Sequence, residues 1–225
     1  MPASRKIYIL LLLLLPGMVA FAQQRTRFSL GTDASFMWSV KEDQRFWTFG
    51  QTILTNFNFT DKGGAYTWFC YYVPGKFTNN VTANAKSPAT IPQQISYSNR
   101  AKLKLSQISI GWKQYMLGSY IAENGWNVYG LAGFGLLFGR VDNTQSGFID
   151  SSLYTMPVLP GRANFKRMTY DLGLGLERPA GGDIYFYGEG KVFIPSTDYP
   201  SGHLLVNNDA PLTFYFNIGV RVLFD

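Results

Sequence analysis

The sequence predicts an all-β fold, an eight-stranded antiparallel up-and-down transmembrane β-barrel with short turns at one end and long loops at the other. Three observations predict it: an export signal, a composition rich in aromatics and poor in charge, and eight stretches of strict alternation. Arg5 and Lys6 precede a leucine-rich run from Ile7 to Leu15, broken by Pro16 and Gly17. Ala20-Phe21-Ala22 then supplies the small-x-small pattern of a signal-peptidase site. Residues 1–22 are therefore expected to be a cleaved signal peptide and 23–225 the barrel domain, in the outer membrane. The apolar run falls short of the ~20 residues of a membrane-spanning helix.

Aromatic residues make up 16% of the chain and charged residues 15%, against a usual charged share of ~25%. Loss of Arg5 and Lys6 lowers the formal charge from +6 to +4, and no basic cluster of the kind that binds nucleic acid stands out. Cys70, the single cysteine, excludes an internal disulfide. One histidine and one cysteine give no metal-ligand set, and no cofactor motif is present.

The alternating stretches are Arg27–Trp38, Phe46–Phe59, Ala65–Val73, Ala101–Leu117, Trp126–Arg140, Phe165–Arg178, Ile184–Ile194 and Leu212–Phe224. The mature prolines all fall between them or just beyond their ends, as ladders that cannot spare a donor require. Asp61–Gly64, Glu123–Gly125 and Pro179–Asp183 read as short turns; Val73–Arg100, Val141–Asn164 and Pro195–Pro211 read as long external loops. In the sixth stretch Met168, Tyr170, Leu172, Leu174 and Leu176 oppose Thr169, Asp171, Gly173, Gly175 and Glu177. The last opposes Phe214, Phe216, Ile218, Val220 and Val222 to Tyr215, Asn217, Gly219 and Arg221. A soluble sandwich or lipocalin-like barrel also alternates, but its solvent face is usually rich in Lys and Glu. Here the large face is apolar and the other carries small, hydrogen-bonding residues, which suits lipid outside and a narrow lumen inside. The fourth stretch changes parity between Leu105 and Ile108, which predicts a β-bulge near Ser106–Gln107. Cys70 is expected on the lipid face with Tyr66, Trp68 and Tyr72. Trp38, Trp47, Trp68, Trp112, Trp126, Tyr129 and Tyr185 are expected to form interfacial girdles.

This pattern resembles the small eight-stranded outer-membrane barrels of the OmpA/OmpX type. Asn217-x-Gly219-x-x-Val222-x-Phe224 looks like the carboxyl-terminal signal read by the outer-membrane assembly machinery, although Asp225 follows the terminal aromatic. The resemblance implies a monomeric barrel in contact with outer-membrane lipid. Its role would be structural or adhesive through the external loops, or that of a component of an envelope or secretion complex.

Asp33, Asp171, Glu177, Glu189, Lys191 and Arg221 are predicted to share the lumen as a charge network, either an ion path or a salt-bridged plug. The Pro179–Asp183 turn predicts a register that sets Asp171 opposite Lys191, with Arg221 answering Glu177 or Glu189. His203, with Ser201, Asp198 and Asp209 nearby, offers an alternative: a loop-borne acyl-transfer site modifying lipid A. No spaced Ser-His-acid motif supports that reading, so no catalytic residue is assigned. A narrow pore is the remaining alternative.

Overall fold

Each strand of the ring buries one face and exposes the other, which is apolar over the lower part of the ring, and the sheet closes on itself. The computed structural model describes residues 27–196, 202–204 and 212–224; the expected signal peptide and its cleavage site lie outside them. The strands are β1 (Arg27–Ser39), β2 (Phe46–Thr60), β3 (Gly63–Tyr72), β4 (Gly75–Ala85), β5 (Gln94–Leu117), β6 (Asn127–Gln145), β7 (Tyr154–Thr155), β8 (Gly161–Gly181), β9 (Ile184–Pro195) and β10 (Thr213–Phe224). One turn of 3₁₀ helix at Glu42–Gln44 interrupts the β1–β2 connection. β1, β2, β3, β5, β6, β8, β9 and β10 pair antiparallel in that circular order. The ring is sealed by β1 on β10, in register from Phe28–Phe224 to Ser39–Thr213. The closed ring leaves no free edge along its shared height, which is the condition for a β-protein to sit in hydrocarbon.

The eight ring strands are those expected from the sequence, but three are longer. β5, β6 and β8 run 24, 19 and 21 residues, against the ~9–11 that a tilted strand needs to cross a bilayer. They rise above the loop end as a tall wall. Val73–Arg100 is therefore not an open loop: β4 pairs along the upper half of β5 as a hairpin, and β7 adds to the far edge of β4.

The change of parity in β5 has the same origin, and the expected bulge at Ser106–Gln107 is absent. The β5–β6 register runs unbroken from Asn99–Gln145 to Tyr115–Tyr129, and shifts only between Tyr115 and Leu117. Leu103 and Leu105 point inward, like Gln107, Ser109 and Lys113, while Ile108, Ile110 and Trp112 point outward. What inverts is the solvent. Below Ser106 the outside of β5 is apolar and the inside polar; above it Lys102 and Lys104 face out, and Leu103 and Leu105 join Leu137, Val141 and Phe165 in an apolar interior. Apolar-in, polar-out is the pattern of a sheet in water.

The β8–β9 hairpin is two residues out of the expected register. Asp171 lies opposite Phe193, and Lys191 opposite Gly173. β8 runs through Pro179, with an irregularity between Pro179 and Gly181, so the turn shrinks to Gly182–Asp183. Gly181 and Gly182 have φ of 124° and 57°, a left-handed turn that only glycine adopts without strain. Pro179 is tolerated inside the strand because β6 ends its pairing with β8 at Asn127–Glu177. One flank of β8 has no neighbour there to lose a donor to. Pro195 closes β9, also inside a strand. The even shift leaves every side chain on its expected face.

The largest correction concerns β3. Tyr66, Trp68, Cys70 and Tyr72 are buried in the lumen, and Thr67, Phe69 and Tyr71 face outward. Tyr129 and Tyr185 are likewise inside. The outer girdles consist of Trp38 and Trp47, directly paired across β1–β2 at the loop end, and Trp112 and Trp126 at the turn end.

Candidate functional site: a packed lumen under a knitted loop end

The lumen is filled because bulky aromatics lie over glycines on the neighbouring strand. Tyr72 faces Gly50, Tyr66 faces Gly111, Tyr129 faces Gly175, Phe165 faces Gly139 and Tyr187 faces Gly219, each a cross-strand pair. A Cβ built on Gly111 or Gly133 would sit 2.6 or 2.7 Å from the Tyr66 hydroxyl, so these rings need the absent side chains. The scattered glycines and the large aromatics of β3, read separately from the sequence, are two halves of one packing device.

Charge is concentrated towards the turn end. Glu177, wholly buried, accepts from Lys113 (3.1 Å), Arg221 (2.8 and 3.3 Å), Tyr115 (2.8 Å) and Asn127 (3.4 Å). Arg221 also donates to the Tyr120 carbonyl at 3.1 Å and stacks 4.0 Å from the Tyr185 ring centre. Lys113 rests 3.6 Å from the centre of Tyr129. One turn further in, Glu189 meets Lys191 at 2.6 Å and accepts from Tyr129 at 2.8 Å. Asp33 accepts from Tyr187 at 2.7 Å. Asp171 accepts from Thr169 (2.9 Å) and Gln107 (3.1 Å). So the six charges expected in the lumen are all buried there. The direct Asp171–Lys191 pair is replaced by Glu189–Lys191 along one strand, and Arg221 answers Glu177. Lys113 is the member the sequence reading missed; its parity with Gln107 and Ser109 was the available signal.

A polar and aromatic layer begins at the level of Lys191 and Asp171, which pair across the ladder with Tyr215 and Phe193. Ser35 lies 2.6 Å from the Tyr72 hydroxyl and donates to Asn217 at 2.6 Å. The rings of Trp68, Phe193 and Tyr215 meet at 4.0–6.4 Å. The apolar layer of Leu103, Leu105, Leu137, Val141 and Phe165 caps the stack. Arg221, Lys113 and Glu177 are 1%, 2% and 0% exposed, so bulk solvent does not reach them. Removing one member of such a buried cluster costs ~3–5 kcal/mol.

The loop end is structured as well. Residues of the β6–β8 connection are strapped to the β4–β5 hairpin: Tyr154 donates to Pro92 O at 2.9 Å, Lys86 to Ser151 O at 2.8 Å, and Tyr97 to Val158 O at 3.5 Å. Ala83, Tyr97, Ile149 and Tyr154 form a small second core beneath these straps. Asp150, in water here, has its carboxyl held below the ordinary range by the Ser152 hydroxyl and amide. Leu204 is buried, and the His203 carbonyl accepts from Asn143 at 2.6 Å. The His203 ring lies 3.1 Å from Leu159 O. Asp198, Ser201 and Asp209, the groups the acyl-transfer alternative needs, lie outside the described residues, as do residues 205–211 of that connection. Among the described residues no cluster of ligating side chains suits a metal.

A scan of protein-family models gives no match, and a search of curated proteins gives none either. Solved structures do match. Neisserial surface protein A superposes with a TM-score of 0.56 at 12% identity, over 88% of this chain and 97% of that one. A major outer membrane protein from Thermus thermophilus superposes with a TM-score of 0.52 at 10% identity, over 89% of this chain and 100% of that one. The fold is thus that of the small eight-stranded outer-membrane barrels.

Proposed function

We propose that the protein is an integral outer-membrane barrel that conducts nothing and works through its loop end, as a structural or adhesive platform or a component of an envelope or secretion complex. The filled lumen carries this reading. A chain that spends three stacked layers on closing its interior keeps its working surface outside. The outward faces of β1, β2 and β8 to β10 offer lipid an apolar band, on β8 from Met168 to Leu176, close to the length a tilted strand needs. That band supports membrane insertion, and the likeness to outer-membrane barrels supports the outer membrane as the site.

The loop end supports a binding role. Its straps and second core hold a fixed surface, on which Ile91 and Phe148 stand 89% and 95% exposed. Signal-peptide cleavage after Ala22, and reading of Asn217, Gly219, Val222 and Phe224 by the assembly machinery, complete the proposal. In β10 the first two of these face the lumen and the last two face outward.

Fractionation and planar-bilayer recording test it together. The protein is expected in the outer-membrane fraction, to migrate differently before and after boiling, and to give no stepwise conductance. Recovery as a detergent-free periplasmic protein sinks the membrane reading; reproducible ohmic channels sink the closed-platform reading.

A further inference from the structure

On the outward strand faces above the apolar band, the basic residues are not spread around the barrel. Among the described residues, β1, β2, β3, β9 and β10 carry no outward Lys or Arg. Lys76, Arg100, Lys102, Lys104, Arg140, Arg162 and Lys166 all lie on the wall built by β4, β5, β6 and β8, on the water-facing stretch just above the apolar band. Only Asp142 answers them among the outward side chains of that stretch, and it binds Arg162 at 3.1 Å. Lys76 stands directly opposite Lys102, and Lys104 opposite Arg140. Like charges facing each other across a ladder destabilise the sheet. That cost is removed when an anion sits between them.

The shape of the wall provides a place for one. A cleft of about 560 Å³ is lined by Lys104, Arg140 and Lys166, with Ser106 and Asn164 as further polar groups and Phe138 at its side. Lys166 pairs across the ladder with Phe138, one step above the row Ile108–Leu136–Met168 where the apolar band begins. Directly below lies a second cleft of about 570 Å³, on the same strands and on β2 and β3, lined by Ile53, Phe69, Ile108, Phe134, Leu136 and Met168. A cationic cleft stacked on an apolar one, at the level where lipid meets water, matches a molecule with an anionic head and hydrocarbon tails.

We infer that this wall binds a phosphate-bearing lipid of the leaflet at the loop end. The phosphate lies among Lys104, Arg140 and Lys166, and an acyl chain lies along Ile108, Leu136 and Met168. Arg supplies paired donors suited to phosphate and Lys supplies point charge. A free phosphate ion would use the upper cleft alone; the lower cleft favours the lipid. The inference rests on the proposed membrane insertion and adds a specific lipid site to it.

The test uses the full mature chain, purified from outer membranes in mild detergent and analysed by native mass spectrometry with bis-phosphorylated lipid A as probe. The wild type is expected to retain the lipid, and the Lys104→Ala/Arg140→Ala/Lys166→Ala variant to lose affinity by roughly a hundredfold, at roughly fivefold per cation near an anionic surface. Lys62→Ala, at the turn end, is expected to behave as wild type. Equal retention by the triple variant and the wild type overturns the inference. So does equal binding of enzymatically dephosphorylated lipid A to the wild type, an arm that needs no variant to fold. Displacement of the lipid by inorganic phosphate assigns the cleft to the free ion and overturns the lipid assignment. A wild type absent from the membrane fraction marks failure of the membrane reading instead.

Discussion

Gly175 and Gly188 are near neighbours on paired strands, yet they face opposite environments. A methyl on Gly175 would enter the ring of Tyr129, which is fully buried and anchored through its hydroxyl to Glu189. On Gly188 the nearest atom is 3.9 Å away, the carbonyl of Asn217. Gly175→Ala is therefore expected to lower the stability of the folded barrel by ~1–3 kcal/mol through overpacking. Gly188→Ala should change it by less than ~0.5 kcal/mol. Urea unfolding in lipid vesicles measures both; equal effects would mean that the aromatic rings are not locked over the glycines. At this scale the charged part of the lumen was legible, apart from Lys113. The parity of Asp33, Asp171, Glu177, Glu189, Lys191 and Arg221 placed them inside without knowledge of their partners. What parity does not carry is distance along the strand. Lys191 therefore meets Glu189, its neighbour on the same face of β9, rather than Asp171 across the ladder.

For the strands themselves, alternation identified all eight members of the ring, and it misassigned one face. In β3 both faces are bulky, Tyr66, Trp68 and Tyr72 against Phe69 and Tyr71, so hydrophobicity gave no preference. The decision is made elsewhere, by Gly50, Gly111 and Gly133, which leave room for those rings inside. Turn length was the second weak point, because a proline read as a strand terminator sits inside β8 where its flank is unpaired. Single-tryptophan variants in vesicles of brominated lipid examine the face of β3. Trp38, Trp47, Trp112 and Trp126 are expected to be strongly quenched by bromine and Trp68 hardly at all. Comparable quenching of Trp68 would place β3 the other way round.

Across the whole molecule, the sequence inverts its polarity code where the wall leaves the lipid, and a reading that assumed one solvent for each strand met that boundary as a defect in β5. The upper β4–β5 hairpin stands in water on its own small core, so the membrane-embedded ring should not need it. Excising residues 80–98 and joining Asn79 to Asn99 through an Asn-Gly turn keeps the ladder below that pair. The shortened protein is expected to retain its shift on boiling, while losing capture of any loop-end partner. An aggregated product without the heat-dependent shift would show that the hairpin is part of the barrel's folding unit.

The seam between β1 and β10 has a consequence in time as well as in space. The strands that close the ring are the first and last of the described chain, so the contacts that seal it have the longest sequence separation the fold contains. Topologies dominated by such distant pairings fold slowly, because chain entropy is lost before the rewarding contacts form. An incomplete chain would also present an open, apolar sheet edge, the structure most prone to join a neighbour. The polypeptide thus gains nothing by folding as it emerges. It has to reach its membrane uncommitted, and a late block to export should yield degraded or aggregated chains rather than partly built barrels.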